Sequence, residues 1–178
     1  MELPPSPMSL NDIDQVLQIE RLSFSIPWSR HAFVDELLRN EQARYVVVRD
    51  PNGVVLGYGG MWLILDEAHV TNVAVHPEYR RQGIARAIMK SLMETAVCLG
   101  ATRMTLETRL SNLPAQELYR SLGFVAAGVR PGYYIDDHED ALAMWLEDMP
   151  GRGATIGGEG DAAENECTWN YPWDRKQL

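Results

Sequence analysis

The sequence predicts an α+β domain in α/β/α layers: a mixed, mostly antiparallel central sheet flanked by helices, with one parallel crossover. Two observations carry this. Successive short strands separated by tight turns form a meander, so the sheet begins antiparallel. A strand–loop–helix–strand unit then follows, and such a crossover requires one parallel pairing.

Each element has a local cause. Ser9-Leu10-Asn11-Asp12 reads as a helix start, Ser9 capping and Asp12 reaching back to it. Leu10, Ile13, Val16 and Leu17 then supply an apolar helical face. Pro27-Trp28-Ser29 breaks that helix and opens a second, capped by Ser29, with Phe33, Leu37 and Leu38 facing inward. Arg44 to Arg49 is a β-branched run ending at the turn signal Asp50-Pro51-Asn52-Gly53. Val54 to Leu65 and Ala68 to Val75 make two further strands around Asp66-Glu67. His76 to Gln82 is a basic loop, after which Ile84, Ile88, Leu92 and Ala96 repeat every four residues in a helix ended by Gly100. Thr102 to Thr108 is a strand, Asn112 and Pro114 open a shorter helix stopping at Gly123, and strands Phe124 to Val129 and Ala141 to Glu147 close the domain.

That domain spans residues 1–149 of a 178-residue chain, long enough for one sizeable core. From Pro150 the composition turns to Gly, Ala and acid, which predicts a flexible tail over 150–178, although it ends in the aromatic run Trp169 to Trp173. No basic region followed by an apolar core opens the chain, and the longest apolar stretch is too short for a bilayer, so a cytoplasmic protein without membrane contact is expected. Cys98 and Cys167 follow no metal-ligand spacing and give no disulfide framework. A formal charge of −9 repels nucleic-acid phosphates, so direct nucleic-acid binding is not expected; it attracts basic peptides, or simply keeps the chain soluble. His31, His69, His76 and His138 share no ligand spacing, so no metal is expected and all four read as incidental.

The chemistry concentrates in Val73-Ala74-Val75-His76-Pro77-Glu78-Tyr79-Arg80-Arg81-Gln82-Gly83-Ile84-Ala85-Arg86. A strand feeds a short basic loop and a long helix, whose first turn offers unpaired N–H groups and partial positive charge to a diphosphate. Gly83 and Ala85 keep that turn uncluttered, and Arg80, Arg81 and Arg86 add charge. There is no Gly-Lys-Ser/Thr, and Gly57, Gly59 and Gly60 miss the dinucleotide spacing. A plain basic helix cap is the competing interpretation.

Arg80-Arg81-Gln82-Gly83-Ile84-Ala85 resembles the Gln/Arg-x-x-Gly-x-Gly/Ala signature of the GNAT superfamily of acetyl-CoA-dependent N-acetyltransferases, with Ala85 where many members have glycine. The stretches PWSRHAF, LDEAHVTNVAVHPEYRRQG, LETRLSNLPAQELYRSLGF and YYIDDHEDALAMWLE are similar to its bacterial ribosomal-protein-alanine branch (RimI type). The resemblance implies acetyl-CoA as cosubstrate, held by the backbone of Val73, Ala74 and Val75, by the loop Arg80, Arg81, Gln82, Gly83, Ile84, Ala85 and Arg86, and by Asn112 and Tyr119. It implies Glu107 as base and Tyr119 as acid, and Trp28, Tyr133 and Tyr134 around a slot for the N-terminal peptide of a basic ribosomal protein. Read from the residues alone, Glu107 is a solvated strand residue, Tyr119 core, Trp28 a helix-junction packer and Asn112 a helix cap. Asp136, Asp137, Glu139 and Asp140 form an acidic cluster beside the expected slot. Besides an N-terminal α-amine, a small-molecule or lysine amine, or a non-catalytic acetyl-CoA-binding module, are the readings weighed.

Overall fold

The computed structural model describes residues 3–149. Seven strands, β1 (Ser6–Pro7), β2 (Ala43–Arg49), β3 (Val55–Ile64), β4 (Glu67–Val75), β5 (Arg103–Arg109), β6 (Val125–Arg130) and β7 (Ala141–Leu146), form one sheet in the order β1-β2-β3-β4-β5-β7-β6. Every pairing is antiparallel except β4 with β5, as the crossover requires. Helices α1 (Ile13–Ser23) and α2 (Arg30–Leu38) precede the meander, α3 (Ile84–Cys98) is the crossover, and α4 (Leu113–Ser121) follows β5. The expected tail over 150–178 lies outside the described residues, of which no helix is long and apolar enough to cross a membrane.

Side-chain alternation along the strands divides the interior into two cores. Val46 and Val48 join Ile84, Ile88, Leu92 and Ala96 of α3 and Tyr119 of α4, whereas Tyr45 and Val47 join Ile13, Val16 and Leu17 of α1 and Phe33 and Leu37 of α2. α3 presses closely on β3: a Cβ at Gly59 would stand 2.5 Å from Ile88 Cγ2, and one at Gly60 2.1 Å from the Tyr45 ring. These glycines therefore admit a helix on one face and an aromatic ring on the other.

The caps read from sequence are present. Ser9 and Asp12 form the reciprocal capping box, Ser29 Oγ accepts from Ala32 N at 3.1 Å, and Asn112 Oδ1 accepts from Ala115 N at 3.2 Å. Three features differ from expectation. Leu38 is 56% exposed, because the inward stripe of α2 is already filled by Phe33 and Leu37. β1 is an added two-residue edge strand, and β7 inserts between β5 and β6.

One irregularity prepares the site. Gly60 pairs with Asn72 but Met61 pairs with Val70, so Thr71 is a bulge that bends β4. Pairing between β4 and β5 covers only Glu67–Arg103, Ala68–Met104 and His69–Thr105. Beyond His69 the two strands part.

Candidate active site

The fork opens into a cleft of about 740 Å³ lined by Val73, Ala74 and Val75 on one side, by Arg80, Arg81 and the first turn of α3, and by Asn112, Ala115, Leu118 and Tyr119 opposite. Of the residues expected to hold the cosubstrate, all but Gln82 line it. The meeting follows from topology: the bulge turns the end of β4 away from β5, while α3 and α4 start on either side of the gap.

The loop before α3 is shaped for an anion. Arg81 and Gly83 both adopt left-handed backbone, at φ 63° and 82°. That conformation costs a residue with a Cβ about 1–2 kcal/mol and marks functional loops. At Gly83 a Cβ would meet nothing within 4 Å, so glycine is needed there for conformation rather than space. Ala87 N donates to Gly83 O at 3.0 Å, the first helical bond, which leaves the preceding amides of α3 facing the cleft without helical acceptors. Arg80 Nε donates to Val75 O at 3.2 Å, bracing the loop against the end of β4. Arg86 Nη2 donates to Ser121 Oγ at 2.8 Å and so ties α3 to α4. Backbone amides at a helix start, flanked by guanidiniums, suit a diphosphate.

Tyr119 packs its ring against Phe124 at 6.0 Å, and burial pushes its phenol up to about 12. It therefore remains a proton donor at neutral pH. Glu107 lies on the opposite face of β5 from the core residue Leu106, which shares Tyr119's core. Its side chain is 5% exposed, its Oε2 is 2.9 Å from His69 Nε2, and its Oε1 is 3.0 Å from Arg130 Nη2. The His69 hydrogen bond, with help from Arg130, holds its carboxyl below the ordinary value against the opposing effect of burial. Glu107 is thus no solvated strand residue. His69, read from sequence as incidental, touches it; the available signal was that a parallel β4–β5 pairing puts these two positions side by side at the fork.

Tyr133 and Tyr134 stand in the β6–β7 loop with ring centroids 5.2 Å apart, and the charges of Glu107 and Arg109 reach the Tyr134 phenol, which burial pushes up to about 12. The Trp28 ring packs on Phe33 at 5.5 Å and its backbone N–H donates to buried Glu20 Oε2 at 2.6 Å; like Glu107, Tyr133 and Tyr134, it does not line the cleft itself. The acidic cluster is largely committed within the protein: Arg109 bonds Asp136, Asp137 and Glu139, and Asp140 Oδ1 accepts from Gly132 N at 2.8 Å. Ser25 donates to Asp136, joining the loop after α1 to the β6–β7 loop. Among the described residues no group of three or more His, Cys, Asp or Glu is arranged to hold a metal.

Residues 13–124 match the acetyltransferase (GNAT) family. The chain belongs to that family. It is 44% identical over 139 residues, 78% of its own length and 91% of the relative's, to a Bacillus subtilis (strain 168) protein provisionally named ribosomal protein bS18-alanine N-acetyltransferase. It is 35% identical over 144 residues, 79% of its length and 95% of the relative's, to the ribosomal protein bS18-alanine N-acetyltransferase of Escherichia coli (strain K12). The crystal structure of the ribosomal-protein-S18-alanine N-acetyltransferase from Escherichia coli is similar with a TM-score of 0.74 and 31% identity, over 90% of this chain and 99% of that one. The GNAT chain is therefore an N-acetyltransferase built on the fold its sequence implied, with the family's signature segment at the mouth of the cleft.

Proposed function

We propose that the protein transfers acetyl from acetyl-CoA to the α-amine of a protein N-terminus, with the N-terminal alanine of ribosomal protein bS18 as its substrate and the cytoplasm as its place of action. The observation that carries this reading is the fork between β4 and β5: Val73 to Val75 line the cleft on the α3–α4 side, and Glu107, on the other face of β5, is hydrogen-bonded to His69 where the pairing ends. The similarity to two relatives named for that alanine supports the choice of acceptor.

In this reading the amides at the start of α3, with Arg81 and Arg86, hold the pyrophosphate, and the unpaired edge of Val73 to Val75 bonds the pantetheine. Acetyl-CoA supplies the acetyl thioester. Glu107, ionised at neutral pH, accepts the proton that an N-terminal ammonium, with pKa near 8, must lose before it attacks. Tyr119, kept neutral by burial, donates its proton to the departing thiolate. Tyr133 and Tyr134 flank the acceptor peptide. Trp28 contributes by packing the junction of α1 and α2 beneath it.

The test is to incubate the purified chain with acetyl-CoA and a basic peptide beginning with alanine, and to locate the added acetyl group by mass spectrometry. Modification of the α-amine alone, strongest for alanine in a panel varied at the first residue, is the expected outcome. Acetylation of lysine side chains or of small amines instead would sink the assignment of acceptor.

A further inference from the structure

His69 and Glu107 meet where the sheet divides. His69–Thr105 is the last pairing of β4 with β5, and Glu107 lies two residues further on the same face of β5. The His69 Nε2–Glu107 Oε2 bond of 2.9 Å thus continues as side chains the bridge that the backbone has just ended. Oε1 is different. It is fully buried and accepts no hydrogen bond among the described residues, although Arg130 Nη2 stands 3.0 Å away. A buried carboxylate oxygen that no hydrogen bond satisfies is rare and costly even beside a guanidinium, and an acceptor ammonium entering at the fork would supply the missing donor.

The other groups facing Glu107 do not fill the place of His69. Arg130 comes from β6 and Arg109 lies on the same face of β5 as Glu107, and each is a planar guanidinium rather than an imidazole. The phenols of Tyr133 and Tyr134 are driven upward chiefly by burial, so both stay neutral. The Glu107 side chain is 5% exposed whereas that of His69 is 36% exposed, so the imidazole also stands between the carboxylate and solvent.

We propose that His69 is the positioning residue of Glu107: its hydrogen bond to Oε2 fixes the carboxylate at the fork and presents Oε1 to the acceptor ammonium. This rests on the reading of Glu107 as the base. The proton passes from the ammonium nitrogen to Oε1 and the freed nitrogen lone pair attacks the thioester carbonyl; as the carbon–sulfur bond breaks, Tyr119 protonates the departing thiolate, the second proton shed by the acceptor nitrogen restores the phenol, and Glu107 returns the first proton to solvent. His69 forms no bond to substrate and acts only through Glu107.

The sign of the pH effect follows. Glu107 accepts a proton only while ionised, and His69 is the largest influence keeping its carboxyl low. Without the imidazole, burial outweighs the remaining pull of Arg130, the protonated form persists to higher pH, and the acid limb of kcat moves upward.

The experiment measures kcat, and KM for acetyl-CoA, between about pH 6 and 9 for the wild type, His69→Ala, His69→Gln and Glu107→Gln, using the alanine-initiated basic peptide. His69→Ala is expected to lose kcat more severely at pH 6 than at pH 9, by about tenfold, with KM for acetyl-CoA unchanged. His69→Gln, which keeps a hydrogen-bond donor but no charge, regains most of the rate with a smaller displacement of the limb. A loss that is uniform across pH in both variants, or no loss, overturns the proposal. Should His69→Ala not fold, the limb of His69→Gln decides alone. Glu107→Gln separates the two ideas: if it is fully active the base assignment fails, whereas if it is inactive while the His69 variants keep the wild-type profile, only the role of His69 fails.

Discussion

Tyr119 and Glu107 approach the fork from opposite faces of the sheet, and their surroundings hold them in opposite protonation states. Burial without a charged neighbour keeps the phenol protonated, while an imidazole and a guanidinium keep the carboxyl ionised. Tyr119→Phe preserves the ring contact with Phe124 and removes only the donor. It is expected to lower kcat by about 10²–10⁴-fold with little change in Tm or in KM for acetyl-CoA, measured by steady-state kinetics and thermal melts. For Glu107 the same ion pairs predict a stability effect. A carboxyl held below its unfolded value of 4.5 adds stability that is fully present above that pH and is lost as pH falls through the lower folded value. The Tm of the wild type should therefore exceed that of Glu107→Gln at neutral pH, and the gap should close below pH 4.5. A gap independent of pH would mean that neither His69 nor Arg130 stabilises the carboxylate.

At the scale of elements, the start of α3 and the start of α4 face each other across the cleft, each terminated by a residue suited to its position. Gly83→Ala places a Cβ in open space but at φ 82°, so its cost is conformational, about 1–2 kcal/mol. The expected result is a raised KM for acetyl-CoA with kcat much less affected; Gly83→Asn, whose side chain tolerates left-handed backbone, should be milder. Gly60→Ala is the contrasting case. Its Cβ would lie 2.1 Å from Tyr45, so overpacking should cost about 1–3 kcal/mol or more, visible as a lower denaturation midpoint. These glycines show what was legible and what was not. Helix starts at Ser9, Ser29, Gly83 and Asn112 depend on residues within four positions of one another and were readable directly. The exposure of Leu38, the insertion of β7 beside β5 and the contact of His69 with Glu107 depend on register between distant segments. Trp28 illustrates the same divide: its loop was placed between α1 and α2, but its direction was set by Glu20 and Phe33, on the two helices that flank it.

The whole molecule carries a formal charge of −9, and that excess bears on the approach of substrate. Near the fork three carboxylates, Asp136, Asp137 and Glu139, share the single guanidinium of Arg109, so the group as a whole stays negative even though each member is bonded. A committed carboxylate still contributes to the field at longer range, and a field of one sign raises the encounter rate of an oppositely charged ligand. Such steering acts on exposed charges, so it is screened as the Debye length shrinks from about 10 Å at 0.1 M salt to about 3 Å at 1 M. For a basic peptide beginning with alanine, kcat/KM should fall severalfold over that range while kcat at saturating peptide changes little. A peptide with its basic residues replaced by alanine should start with a lower kcat/KM and show almost no salt dependence. Asp137→Asn, which leaves Asp136 and Glu139 on Arg109, should reduce the salt slope for the basic peptide without unseating the loop. Equal kcat/KM for the two peptides at low salt would show that the acidic surface plays no part in choosing the substrate, and that selection rests on the first residue at the fork.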